Sequence, residues 1–284
     1  MSDEMSHAPS FLRKYIFSTD HKTIGIQFMF TSLVMLLFGG LLAMLIRWQL
    51  GWPGRALPFM EQIAPNGMPG GIMVPEYYNM LFTMHGSIMI FFAIIPLLVG
   101  VFGNYLIPLK IGAGDMAFPK LNMYSFWLIP PAIAVMVYGF FVQGGAAQAG
   151  WTSYAPLSTT LGPGQVCWLV SLILVGTSSI MGSVNYVTTI INLRAPGMGF
   201  FRLPMSIWAL FITAIIVLLA TPVLASALIL LLLDNTLGTS FFLPAGLIID
   251  GVLQPNSGGQ VLLWQHLFWF YSHPAVYIMI LPAM

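Results

Sequence analysis

The stretch LPMSIWALFITAIIVLLATPVLASALILLLL, Leu203 to Leu233, carries no charged side chain and only scattered hydroxyls. Coiled as a helix it is long enough to cross the hydrocarbon of a bilayer, which takes about 20 residues. It lacks the polar stripe of a helix that turns one face to water. Five more apolar runs accompany it: Thr23 to Arg47, Tyr78 to Pro108, Leu121 to Gln143, Gln165 to Leu193, and Gln260 to Met284. Lipid offers no hydrogen bonds to bare backbone, so a chain of such runs must form a helical bundle. The expected fold is an all-α integral membrane bundle with six transmembrane helices.

Composition agrees. Of 284 residues, 58% are hydrophobic and 6% charged, whereas soluble domains are about a quarter charged. A soluble enzyme is excluded, lipid is the expected surroundings, and no nucleic-acid partner is expected. Basic residues set the orientation. Arg13, Lys14, Lys22, Lys110, Lys120, Arg194 and Arg202 fall on one side of the expected membrane, and only Arg47 and Arg55 on the other. By the positive-inside rule residues 1–22 form a cytoplasmic tail, and residues 23–284 hold helices one to six. The acidic opening Ser2-Asp3-Glu4 and the long first run argue against a removable signal peptide. The last run stops at Met284 without cap or basic flank, as expected of a piece of a longer polypeptide. Cys167 is the single cysteine, which excludes a disulfide framework or thiolate cluster and reads as a small apolar residue. The Pro/Gly-rich stretches 51–71 and 237–259 read as external loops.

Polar groups inside apolar helices are costly and usually functional. His7 lies in the tail and His21 at the entrance to helix one, positions for interfacial or capping roles. His85, His266 and His273 lie within apolar runs. His85 is followed by Gly86, which would let a flat macrocycle approach the backbone, and imidazole is a common axial haem ligand. A hydrogen bond within the bundle would equally account for it. His273 and Tyr277 stand one turn apart, hence on one helix face, with Cβ atoms roughly 5 to 6 Å apart. Pro274 frees the carbonyl of Phe270 and bends the helix. A metal-bound imidazole and a phenol could meet there; a plain proline kink is the alternative.

The pattern Trp269, His273, Pro274, Tyr277 resembles the sixth helix of the catalytic subunit of haem-copper oxygen reductases. The run from Tyr77 to Phe92 around His85 resembles that family's second helix. The resemblance implies that His85 is the axial ligand of a low-spin haem, that His273 binds copper B, and that Tyr277 is covalently joined to His273 and supplies a proton and an electron. It implies haem a and haem a3, the ligand of the latter lying outside these residues. It also implies a twelve-helix subunit of which this is the N-terminal half. Arg47 matches the arginine that bonds the low-spin haem's substituent, although a snorkelling anchor would look the same. The segment Gly112 to Asn122 resembles the mouth of the family's proton channel, with Asp115 the entrance carboxylate and Asn104 and Asn122 amides that order water behind it. Ser178, Ser179 and Asn185 match polar positions further along the path, although small hydroxyl residues also favour close helix packing. His266 matches no ligand and reads as structural.

Several positions depart from the family pattern. Ala275 replaces the usual glutamate two residues beyond the copper histidine, and Tyr271-Ser272 replaces Phe-Gly one turn earlier. This resembles the variant that uses Tyr-Ser as the inner proton relay. Phe28 stands where helix one usually has a tyrosine, Met123 where a second asparagine is common, and Gln49 where an outer metal site has a glutamate. The implied function is a terminal oxidase of a bacterial cytoplasmic membrane that reduces dioxygen to water with electrons from cytochrome c, or a cytochrome c domain, and pumps protons. Its implied partners are a copper A subunit II and a subunit III. A quinol oxidase of the same family, or a proton-conducting membrane protein without cofactors, are the alternatives. A nitric oxide reductase is disfavoured by Tyr277.

Overall fold

The computed structural model describes residues 10–249, 251–254 and 257–284. His7 and the Ser2-Asp3-Glu4 opening lie outside them. The bundle is built from α1 (His21–Gly51), α2 (Pro75–Ile111), α3 (Pro119–Phe141), α4 (Pro163–Asn192) and α5 (Met205–Leu237), the five helices long and apolar enough to cross a membrane, and α6 (Val261–Ile280). The chain is thus an integral membrane protein. The sixth expected span does fold as a helix, of 20 residues. Gln265, His266, Ser272, His273 and two tyrosines make it less apolar than the other five.

Apolar side chains cover the outside of the bundle as well as its core. Along α1, Phe30, Leu33, Val34, Leu37, Leu41 and Met44 are exposed at helical spacing, while Ile24, Phe28, Ser32, Met35, Gly39 and Leu42 face inward. Small residues let helices close up: a Cβ on Gly39 would stand 2.8 Å from Met89 Sδ, and one on Gly25 would touch Tyr105 at 3.4 Å. The helices pack mainly on their sequence neighbours, α1 on α2, α3 on α4, α4 on α5 and α5 on α6, and α1 and α4 also meet the start of α3.

Prolines mark the irregular turns. Pro130-Pro131 restarts α3 after a break at Leu128. In the middle of α2 the turns Met89–Ile94 and Pro96–Val101 are widened to π geometry. At one end of the bundle His21 Nδ1 contacts the Asn104 carbonyl, Lys110 Nζ donates to Ser206 Oγ, and Ala195 N donates to the Ile111 carbonyl. The basic flanks of α1, α2, α4 and α5 therefore gather together. The connections at the other end are not wholly irregular. They contain the helical turns Met60–Ile63 and Pro69–Gly71 and the hairpin β1 (Ile248–Ile249) with β2 (Val252–Leu253). Asp234, buried at the end of α5, accepts from the amides of Phe241 and Phe242 and from Thr239 Oγ1, which fixes that loop.

Candidate functional site

His85 lies half-buried on α2, and its Nδ1 is 2.9 Å from the carbonyl oxygen of Gly39 on α1. A carbonyl only accepts, so Nδ1 carries the hydrogen and Nε2 keeps its lone pair. Axial imidazoles are oriented in this way, with the second ring nitrogen donating to a backbone carbonyl. The donor therefore fits a haem iron. The space over Gly86 is taken differently from expectation: a Cβ there would meet the Trp151 side chain at 3.2 Å. The glycine admits an indole from the connection between α3 and α4 rather than a macrocycle. Arg47 is exposed at the far end of α1 and makes no hydrogen bond among the described residues.

Helix α6 has two faces. Trp264, Phe268, Tyr271, Ser272, Ala275 and Ile278 are buried against the bundle. His266, His273 and Tyr277 look outward. The rings of His273 and Tyr277 have centroids 5.0 Å apart at 66°, so imidazole and phenol meet at one turn's spacing. Neither makes a hydrogen bond to the described residues, which leaves donors on both rings for chemistry. No group of three or more His, Cys, Asp or Glu able to hold a metal occurs among the described residues. One imidazole fits copper as a single ligand, and the rest of such a set has to come from elsewhere. His266, read as structural, has no hydrogen bond within the described residues. Tyr271 stacks on Phe91 at 6.4 Å and 13°. Beside it the Ser272 hydroxyl is buried without a partner among the described residues.

The polar path begins at the turn carrying Asp115, between α2 and α3. Asp115 Oδ1 accepts from the Met116 amide at 2.7 Å. Burial pushes its carboxyl above the ordinary range and Asp20 adds to that, while the Met116 amide and His21 oppose it. The turn is stapled to α4: Asn185 Oδ1 accepts from the Phe118 amide at 2.9 Å and its Nδ2 donates to the Phe118 carbonyl, while Thr189 Oγ1 accepts from the Ala117 amide. Asn185 thus holds the turn with both ends of its amide. His21 stands at the entrance to α1, as its first residue, and is 2% exposed; its Nδ1 joins the start of α1 to the Asn104 carbonyl.

Asn104 is fully buried. Its Nδ2 donates to the Gly100 carbonyl at 2.7 Å and to the Tyr186 hydroxyl at 2.8 Å, and its Oδ1 has no partner among the described residues. Both polar atoms of Asn122 are likewise buried and unpaired among them. Buried amides in that state ordinarily hold water. Ser178 Oγ donates to the Ser125 carbonyl at 2.6 Å and Ser179 Oγ to the Val175 carbonyl at 3.0 Å. Both line a cavity of about 40 Å³ between α1, α2, α3, α4 and α5, together with Phe28, Ser125, Ser183 and Tyr186. Asn104 is not among the lining residues and meets the cavity wall through Tyr186 and Gly100. Tyr271 is not among its lining residues. Tyr186 and Thr189 were not singled out in the sequence, although as polar residues in an apolar run both carried the available signal.

Residues 23–284 match the family described as cytochrome c and quinol oxidase polypeptide I. Cytochrome c oxidase subunit 1 of Thermostichus vulcanus is 48% identical over 269 residues, 94% of this chain and 44% of that protein. The protein of the same name from Synechocystis sp. is 49% identical over 269 residues, 94% of this chain and 44% of its own. The alternative cytochrome c oxidase subunit 1 of Bradyrhizobium diazoefficiens is 43% identical over 285 residues, covering 99% and 46%. The chain spans less than half the length of these relatives.

Proposed function

Since the chain belongs to the cytochrome c and quinol oxidase polypeptide I family, we propose that it is the N-terminal, six-helix half of the twelve-helix catalytic subunit of a haem-copper terminal oxidase. The whole enzyme would reduce dioxygen to water with electrons from cytochrome c, or a cytochrome c domain, and pump protons across a bacterial cytoplasmic membrane. The names of the relatives above support cytochrome c over quinol as donor. Its partners would be a copper A subunit II and a subunit III. The N-terminus would lie in the cytoplasm, on the basic side.

The observation that carries the reading is the pair of imidazoles: one bound at Nδ1 by Gly39 with Nε2 unengaged, the other in ring contact with a phenol. In this reading His85 holds a low-spin haem a and His273 is one ligand of copper B, with the high-spin haem a3 ligand and the other copper ligands in the C-terminal half. The haems and copper supply electron storage and dioxygen binding. The chain's own groups handle orientation and protons. Gly39 fixes the plane of the His85 ring. Tyr277 would keep its hydroxyl beside the imidazole that would bind copper, where the phenol could give a proton and an electron together to dioxygen. Arg47 would bond the haem a substituent. Protons would enter at Asp115, pass Asn104 and Asn122, cross the cavity of Ser178 and Ser179, with Asn185 fixing the entrance turn, and reach Tyr271 and Ser272, which take the place of the carboxylate that Ala275 lacks.

The test is to purify the complex from the full reading frame and measure reduction of dioxygen with reduced cytochrome c and, separately, with a quinol. Haem absorption bands and dioxygen uptake driven by cytochrome c are expected. Uptake driven by quinol alone would move the protein to the quinol branch, and absence of haem would overturn the reading.

A further inference from the structure

We propose that Tyr186 is a positioning residue of the proton route: its hydroxyl fixes the Asn104 amide and offers its own hydrogen to water in the serine-lined cavity. The inference deepens the oxidase reading and rests on it. The side chain is buried on α4 and lines the cavity together with Phe28, whose ring has no polar atom. Its ring covers the backbone of α2 at Gly103, where a Cβ would come within 2.6 Å of it. Packing alone does not explain the hydroxyl, since phenylalanine would fill the same space without a polar group to desolvate. The Tyr186 oxygen accepts from Asn104 Nδ2 at 2.8 Å. Among the described residues its own hydrogen finds only the Val99 and Gly100 carbonyls, at 3.4 and 3.5 Å, too long for a good O–H···O bond.

The Gly100 carbonyl can only accept, so Nδ2 must be the amide atom facing it and Tyr186. Asn104 Oδ1 is then left as an unpartnered buried acceptor. A cavity of about 40 Å³ has room for roughly three waters, at about 10–15 Å³ each, and the hydroxyls of Ser178, Ser179, Ser183 and Tyr186 in its otherwise mostly apolar lining can bind them. A water there would receive a hydrogen from Tyr186, which keeps the Asn104 amide from turning.

Tyr186→Phe in the assembled, full-length oxidase should leave the haem bands unchanged and slow proton uptake and turnover about three- to tenfold, the loss of one hydrogen bond of ordinary strength. Adding Phe28→Tyr, which returns a hydroxyl to the cavity lining, should restore most of the rate; a merely structural loss would not respond. Equal proton uptake in wild type and Tyr186→Phe, or no rescue by Phe28→Tyr, would overturn the inference. If Tyr186→Phe fails to assemble, a structure of the wild-type complex that resolves water decides the matter. Water within hydrogen-bond distance of the Tyr186 oxygen supports the role, and a dry cavity overturns it. A wild-type complex without haem or dioxygen reduction would overturn the oxidase reading and this inference together, whereas an active wild type matched by Tyr186→Phe overturns this inference alone.

Discussion

Nδ1 of His85 lies 2.9 Å from the carbonyl oxygen of Gly39 on the neighbouring helix. The contact joins α1 to α2 at the residue assigned to the low-spin haem and directs the opposite ring nitrogen away from α1. Replacing His85 with Ala should abolish the low-spin absorption bands of the assembled complex while the protein remains in the membrane. Gly39→Val should shift those bands rather than remove them, since a side chain there must displace Met89 and Ile88. Absorption spectra of purified variants check both outcomes.

His273 and Tyr277 are in ring contact on the exposed face of α6. In active enzyme the peptide containing both should be lighter by two hydrogens, one from each ring, as a covalent bond between imidazole and phenol requires. Mass spectrometry reads this directly, and Tyr277→Phe should remove the mass loss along with activity.

Tyr271 and Ala275 share the buried face of α6, one turn apart, beside the unpartnered Ser272 hydroxyl. Tyr271→Phe is expected to slow turnover and pumping strongly with haem spectra intact. Ala275→Glu in that background should recover part of the rate. Proton uptake by reconstituted vesicles is the measurement, and normal pumping in Tyr271→Phe would place the inner relay elsewhere.

Asp20 caps α1, with Oδ2 accepting from the Thr23 amide at 2.8 Å and from the Thr23 hydroxyl at 2.9 Å. Burial works to raise its carboxyl, but those two bonds, with His21 and Lys22, hold it below the ordinary range. A lowered value in the folded state means that the cap's contribution is present above the ordinary carboxylate value of 3.8 and is lost as pH falls below it. Asp20→Ala should cost about 1 kcal/mol near neutral pH and little in acid, as followed by thermal denaturation in lipid or detergent at both pH values.

Hydropathy made the helices legible, because lipid demands long apolar runs whatever the packing partners. It made the clustering of basic ends legible too. The pairing of His273 with Tyr277 followed from helix periodicity alone. Contacts between distant helices stayed hidden: nothing local marks that His21 reaches Asn104, that Asn185 reaches the Phe118 backbone, or that Gly86 is covered by Trp151. The two faces of α6 were equally obscure, since an apolar residue suits both lipid and protein and so carries no label for which side it meets.

The widened turns Met89–Ile94 and Pro96–Val101 separate His85 from Asn104 along α2. A π turn holds an extra residue relative to an α turn, so each one rotates everything after it by roughly 100° about the helix axis. These turns act as a phase adjuster: they let one continuous rod aim its first half at the His85 site and its second half at the cavity. Deleting a single residue between them would leave the helix intact and the His85 end undisturbed, yet swing Asn104 off Tyr186.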